Sequence, residues 1–336
     1  MNYQTGGHLT RAVAPNKENI PPQQNHKINR QDNSLRVFGK EIQNVMKFGS
    51  HQMQIEEQSI STPQLHQFDL PRENPQAVSQ FQGQILSFLK SKDDKYAVDP
   101  EYMSQQRDIN VRMRSILVDW LVDVCIKFKL LPQTLFMTVN IIDRFLAKNN
   151  VQRSSLQLVG ITSLMLVSKY EEIYPPLTKE YIAVCDNAYS KEEILNMEAR
   201  ILLSLEFDLN QTSSYAFLQH FQIRLNMASK ALVFARYILE NALFDPMALK
   251  YTNLMIAAGA VFLVNKIFKI ENWKANFEEV TLVPESVAKA CAKELYQIMQ
   301  KVDASNLTAL KRKFASTEFF EVSKYRVERV QSGTAN

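Results

Sequence analysis

The stretch Ser154–Lys169, SSLQLVGITSLMLVSK, runs fifteen residues without a charge and closes on a lysine. Ninety-seven residues later the pattern returns: Tyr251–Lys266, YTNLMIAAGAVFLVNK, is again charge-free for fifteen residues and again closes on a lysine. A bilayer span needs about 20 predominantly apolar residues, and both stretches contain Ser, Thr, Gln or Asn. They therefore read as helices apolar on nearly all sides, too short to span and suited to the centre of a helical domain. Each is preceded by another helix and a short loop, the first from about Pro132 to Ala147 and the second from about Ser229 to Leu243. A repeat of 97 residues is too long for a solenoid period of roughly 20–50. It predicts two similar helical domains, each with a buried central helix ringed by others, and the fold class is all-α.

Outward from the first copy, Met113, Ile116, Leu117, Trp120, Leu121, Val124 and Cys125 recur at helical spacing, one face of a helix starting near Asp108. Pro132 suits the first turn of the next helix. The central helix, starting at Arg153–Ser154, stops before Pro175–Pro176. Ser190 with Glu193 forms the capping-box pattern S-x-x-E and opens a helix to about Leu205. Residues 1–75 are different: they hold six of the twelve Pro and four of the five His, but four of the 33 aromatic residues. Such a segment buries too little apolar surface to offset its ordering entropy, so a disordered tail is predicted there. The folded part then divides into residues 76–210 and 211–330.

Composition excludes several chemistries. Gly is scarce, at eight residues, and neither GxGxxG nor GxxxxGK[ST] occurs, so no dinucleotide or P-loop cradle is expected. Cys125, Cys185 and Cys291 are single and far apart, which excludes a disulfide framework and suits a reducing compartment. Only His220 lies in the folded part, so no His-based triad, metal cluster or cofactor site is predicted. The pair Glu171–Glu172 sits beside a helix stop, where a solvated charge is expected, and adjacent helical residues do not share a face. The net charge is +4, about +3 of it in the folded part. That is too mild to predict nucleic-acid or membrane partners. The polar, Pro-containing opening Met1–Pro22 has no export signal. These features predict a soluble, intracellular binding protein rather than an enzyme.

Longer strings narrow the reading. Met113-Arg114-Ser115-Ile116-Leu117-Val118-Asp119-Trp120-Leu121 resembles the MRAIL-type helix of the cyclin family, with Ser115 where Ala is usual. Ile141-Ile142-Asp143-Arg144-Phe145-Leu146 resembles the family's second helix. Leu156-Gln157-Leu158-Val159-Gly160 and Ser168-Lys169-Tyr170-Glu171-Glu172-Ile173-Tyr174-Pro175-Pro176 resemble the third and its exit. Met197-Glu198 falls where the fifth helix carries its Glu, and similarity continues to Lys313-Phe314-Ala315-Ser316-Thr317, so it covers roughly 80 to 330. The family's tandem five-helix boxes, with a helix before the first, also account for the 97-residue repeat. The mitotic A/B group is nearest, B-type closest overall. Phe217-Leu218-Gln219-His220 at the start of the second box is nevertheless more A-like than the Phe-Leu-Arg-Arg of B-type members, and A versus B stays open.

The resemblance implies a non-catalytic subunit that binds a cyclin-dependent Ser/Thr kinase on its C-helix side and orders its activation segment. A kinase is active only with its Lys–Glu pair and metal-binding Asp in place, and a partner that binds this arrangement more tightly shifts the equilibrium. The implied contacts are Lys169 and Glu198, ringed by Tyr170, Leu202, Phe207 and Leu209, with Phe81 and Ile85 from the preceding helix. Read without the resemblance, Lys169 would stabilise its own helix C-terminus, Glu198 would be a solvated helix face and the apolar residues core. A second implied site docks Arg-x-Leu segments of substrates or inhibitors on Met113, Ile116, Leu117, Trp120, Asp123 and Gln157, Asp123 holding the cation. The alternative there is again core, with Gln157 the capping-box partner of Ser154. Arg114 and Asp143 are assigned to a structural salt bridge.

In the tail, Lys17-Glu18-Asn19 resembles a KEN destruction motif through which a ubiquitin ligase grips an accessible segment. Arg36-x-x-Gly39-x-x-Ile42-x-Asn44 resembles a destruction box with Gly where Leu should stand, and Thr62-Pro63 is a minimal site for a proline-directed kinase. The expected setting is mitotic control in nucleus and cytoplasm. The competing expectation is a transcription-type cyclin-box protein, for which a basic face should be present.

Overall fold

The computed structural model describes residues 81–270 and 274–325. The tail read as residues 1–75 lies outside the described residues, and with it Lys17, Glu18 and Asn19, the Arg36 segment and Thr62. The described chain is all-α. Helix α1 (Gln82–Asp93) precedes a first bundle of α2 (Val111–Phe128), α3 (Pro132–Lys148), α4 (Leu156–Glu171), α5 (Thr178–Val184) and α6 (Lys191–Ser204). The second bundle holds α7 (Ser214–Leu225), α8 (Ser229–Ala242), α9 (Asn253–Ile267), α10 (Lys274–Thr281) and α11 (Glu285–Asp303), and a short α12 (Ala309–Phe314) follows. Helices α3 and α8 start 97 residues apart, as do α4 and α9, so the repeat of the sequence is a repeat of structure.

Local chemistry sets the helix ends. Asn110, in extended backbone, accepts the Met113 N–H at 3.1 Å and caps α2, whose first residue Val111 lies three residues beyond the expected Asp108. Lys129 ends α2 in the left-handed region at φ 54°. Pro132 opens α3. Ser190 Oγ accepts the Glu193 N–H at 3.2 Å while Glu193 Oε2 accepts the Ser190 N–H at 2.8 Å, a complete capping box on α6. Two expectations are corrected. Ser154 and Gln157 do not cap α4, which emerges from a 3-10 turn over Arg153–Ser155; instead the Tyr189 hydroxyl donates to Gln157 Oε1 at 3.4 Å. Glu172 is not merely a solvated charge: its Oε1 accepts the Leu131 N–H at 2.8 Å and the Thr134 hydroxyl at 2.5 Å, capping the first turn of α3.

The central helices carry the core. Every residue from Leu158 to Ser168 in α4 is buried, and most of α9 is too. Each centre has one glycine where a neighbour comes close. A Cβ on Gly160 would sit 2.6 Å from Leu117 Cδ1, and one on Gly259 would sit 2.9 Å from Cys291 Sγ. Polar clasps join the bundles. Asp93, at the end of α1, accepts the N–H groups of Asn253 at 3.1 Å and Leu254 at 2.9 Å and so caps α9. Ser115 Oγ donates to the Phe244 carbonyl at 2.8 Å, a bond that alanine there would not make.

Candidate functional site

Arg114 on α2 and Asp143 on α3 are both buried. The guanidinium donates from Nη2 to Asp143 Oδ2 and from Nε to Oδ1, both at 2.7 Å. The Tyr102 hydroxyl donates to Asp143 Oδ1 at 2.6 Å, and Arg114 Nη1 donates to the Leu243 carbonyl of the second bundle at 2.8 Å. Burial by itself lowers the guanidinium pKa, but the Asp143 charge overrules it and the net shift is upward. The cluster fixes α2 against α3 and against the second bundle.

Lys169, in the last turn of α4, and Glu198, midway along α6, form an ion pair with one another. The lysine side chain is 45% exposed and the glutamate 13%, so the pair lies at the rim of the surface. Leu195 and Leu202 flank Glu198 at helical spacing, Leu195 exposed and Leu202 half-buried on the core. Tyr170 is exposed beside Lys169. Phe207 is exposed just past the end of α6, held in the left-handed region at φ 58° by its N–H bond to the Leu202 carbonyl at 2.9 Å. Leu209 is half-buried. Phe81, exposed, and Ile85, half-buried, lie at the start of α1.

Sequence reading assigned no role to the most exposed apolar residues of this region, Ile173 at 86% and Tyr174 at 91%. Their signal was present: two large apolar residues directly before Pro175–Pro176 cannot continue a helix into the core. It also missed Asp208. That carboxylate accepts from Lys95 Nζ and the Tyr96 hydroxyl, both at 2.6 Å, while its carbonyl accepts from Arg144 Nη1 at 2.9 Å. The Lys95 bond first, then the Tyr96 bond, holds its pKa below the usual carboxylate value. The clamp secures the turn carrying Phe207 and Leu209 to the segment after α1.

The residues expected to dock peptides divide. Ile116 is exposed, Met113 and Trp120 are half-buried on the same stripe of α2, and Leu117 is buried at 5% exposure against Gly160. Ile116 opens on a cleft of about 670 Å³ between α2 and the end of α11. Asp123 already has a partner from within the chain: Arg312 Nη2 lies 2.7 Å from both carboxylate oxygens. One turn earlier, Asp119 accepts the Ala309 N–H at 3.0 Å and the Thr308 N–H at 3.4 Å, seating α12 on α2. Among the described residues no cluster of His, Cys, Asp and Glu is arranged to hold a metal, and no helix is long and apolar enough to cross a membrane.

Comparison with known proteins places this geometry. Residues 84–210 match the cyclin N-terminal domain and residues 212–328 the cyclin C-terminal domain. Cyclin-B2-2 of Oryza sativa subsp. indica is 35% identical over 280 residues, covering 83% of this chain and 66% of that protein. G2/mitotic-specific cyclin-B of Dictyostelium discoideum is 34% identical over 252 residues, covering 74% of this chain and 58% of that protein. The chain thus spans somewhat under two thirds of the length of these relatives. Among solved structures, a viral cyclin from herpesvirus saimiri has the same fold, with a TM-score of 0.59 at 19% identity over 67% of this chain and 99% of that one. With both domain matches adjoining and each falling on one of the repeated bundles, the chain belongs to the cyclin family.

Proposed function

We propose that this protein is the regulatory, non-catalytic subunit of a cyclin-dependent Ser/Thr kinase, of the mitotic B type. The observation that carries the reading is the Lys169–Glu198 pair at the rim of a surface that also exposes Tyr170, Ile173, Tyr174, Leu195 and Phe207. Large exposed apolar side chains around a satisfied charge pair suit a protein interface, where a few desolvated anchors dominate affinity. On binding, the ammonium of Lys169 and the carboxylate of Glu198 are free to exchange their mutual contact for the carbonyls and N–H groups of a partner helix. The partner's active arrangement is then favoured by the difference in affinity between its two states. The mitotic setting follows the names of the relatives, G2/mitotic-specific cyclin-B among them. Docking of Arg-x-Leu segments is proposed for the stripe of Met113, Ile116 and Trp120. Tail-directed ubiquitination through Lys17-Glu18-Asn19 and residence in nucleus and cytoplasm complete the proposal.

The test is the double substitution Lys169→Ala with Glu198→Ala. An exposed ion pair contributes about 0–1 kcal/mol to folding, so the thermal melt should move by only a few degrees while copurification with the kinase and phosphorylation of a histone substrate are lost. A variant that keeps the kinase would remove this face from the interface. A variant that loses several kcal/mol of folding stability would return both residues to a purely structural role.

A further inference from the structure

The docking stripe on α2 ends at Asp123, and that carboxylate is occupied by Arg312 of α12. Arg312 approaches it with Nη2 at 2.7 Å from each oxygen, and its Nη1 donates to Thr308 Oγ1 at 2.9 Å. The position of Arg312 is not left to a flexible side chain alone. Asp119, one helical turn before Asp123, takes the backbone N–H groups at the start of α12 and fixes the helix that carries the arginine. The Asp123 bond leads the causes that raise the guanidinium pKa, so Arg312 is charged at every accessible pH.

We propose that Arg312 stands in for the basic side chain of a docking segment, so that the stripe around Trp120 selects partners by their apolar residue and draws little from their cation. The inference rests on the docking reading above and specifies its selectivity. Once its apolar residue is seated, a peptide's cation is held beside Asp123 much as Arg312 is, so it gains only what remains after displacing a guanidinium already in place. Arg312 meets both oxygens through Nη2 alone and keeps Nη1 on Thr308, so a peptide guanidinium that displaces it breaks both of these contacts before making its own. The pair is nonetheless open to water, at 61% exposure for the arginine side chain and 45% for the aspartate. It is therefore a modest barrier that a substitution can remove, and the apolar contacts of Met113, Ile116 and Trp120 are untouched by it.

The experiment measures binding of two labelled synthetic peptides, one with an Arg-x-Leu core and one with Ala-x-Leu, to the full chain by fluorescence anisotropy. The wild-type protein should bind the two within about twofold of each other, because Arg312 already holds Asp123. Arg312→Gln should widen the preference for the Arg peptide to about fivefold, the upper end of what an exposed ion pair commands, by tightening that peptide alone. Asp123→Asn in the same background should erase the preference again. Arg312→Lys, which keeps the charge but loses the second nitrogen that bonds Thr308, should fall between. A wild-type preference that is already about fivefold, or one that Arg312→Gln leaves unchanged in a protein of normal melting temperature, overturns the inference. Trp120→Ala distinguishes the underlying reading: if it binds both peptides as the wild type does, or if neither peptide binds the wild type, the stripe is not a docking site and the inference falls with it.

Discussion

At the scale of single residues, buried polar groups decide more than their number suggests. His220 is the one histidine among the described residues; it is buried in α7, and neither ring nitrogen has a hydrogen-bond partner. Burial first, then the neighbouring Arg224 charge, lowers its pKa from 6.5 to about 4. The folded state therefore favours neutral imidazole. Its contribution is fully present above pH 6.5 and is lost as pH falls towards 4, up to about 3 kcal/mol. Urea unfolding at pH 7.5 and pH 4.5 should show a larger drop for the wild type than for His220→Leu; equal drops would mean the imidazole is reached by water. Arg114 makes the converse case. Asp143→Ala leaves a guanidinium buried without its counter-charge and should cost about 3–5 kcal/mol in equilibrium unfolding, whereas Asp143→Ala with Arg114→Met should cost less, since no charge is then stranded.

At the scale of elements, close approach between helices sets what each glycine tolerates. Gly160 meets the tip of Leu117, a flexible side chain, while Gly259 meets Cys291 Sγ, its Cβ at 3.0 Å and the Ala292 backbone nitrogen at 3.2 Å. Alanine gains helix propensity at both positions, about 1 kcal/mol. At Gly160 that gain offsets much of the strain, because Leu117 can turn aside. At Gly259 it does not, because the obstacle includes the backbone of α11. Gly259→Ala should lower the melting temperature by several degrees more than Gly160→Ala, and the reverse order would show that α9 and α11 slide apart easily. The pair Lys169–Glu198 also belongs to this scale. The second bundle repeats the lysine as Lys266, but the position 97 residues beyond Glu198 is the buried Leu295. In the second copy the position matching Glu198 is thus apolar and part of the core.

At the scale of the whole molecule, the two bundles are joined by clasps whose members lie far apart in sequence: Asp93 on α9, Ser115 and Arg114 on the turn after α8, and Asp119 and Asp123 on α12. The members of these clasps all lie between residues 93 and 312. Removing the tail read as residues 1–75 should leave the melt and kinase activation unchanged while lengthening the protein's half-life at mitotic exit, and changing Lys17-Glu18-Asn19 to three alanines should do the same to a lesser or equal extent. Turnover of the truncated protein at the wild-type rate, followed by immunoblot through mitosis, would move the degradation signal elsewhere.

The order of amino acids by itself determined the helices, the starts at Pro132 and Ser190, and the duplication seen in the two charge-free stretches, because caps and periodicity act within a turn or two of chain. The family resemblance also brought Lys169 and Glu198 together as one site. Only the tertiary structure decided what the charges do. Glu172 caps a helix that starts 40 residues before it, Asp208 clamps Lys95 and Tyr96 more than 110 residues away, and Arg312 takes Asp123 across 189 residues. No local pattern encodes such pairs, since whether a surface carboxylate meets water or a distant cation depends on how two finished bundles pack.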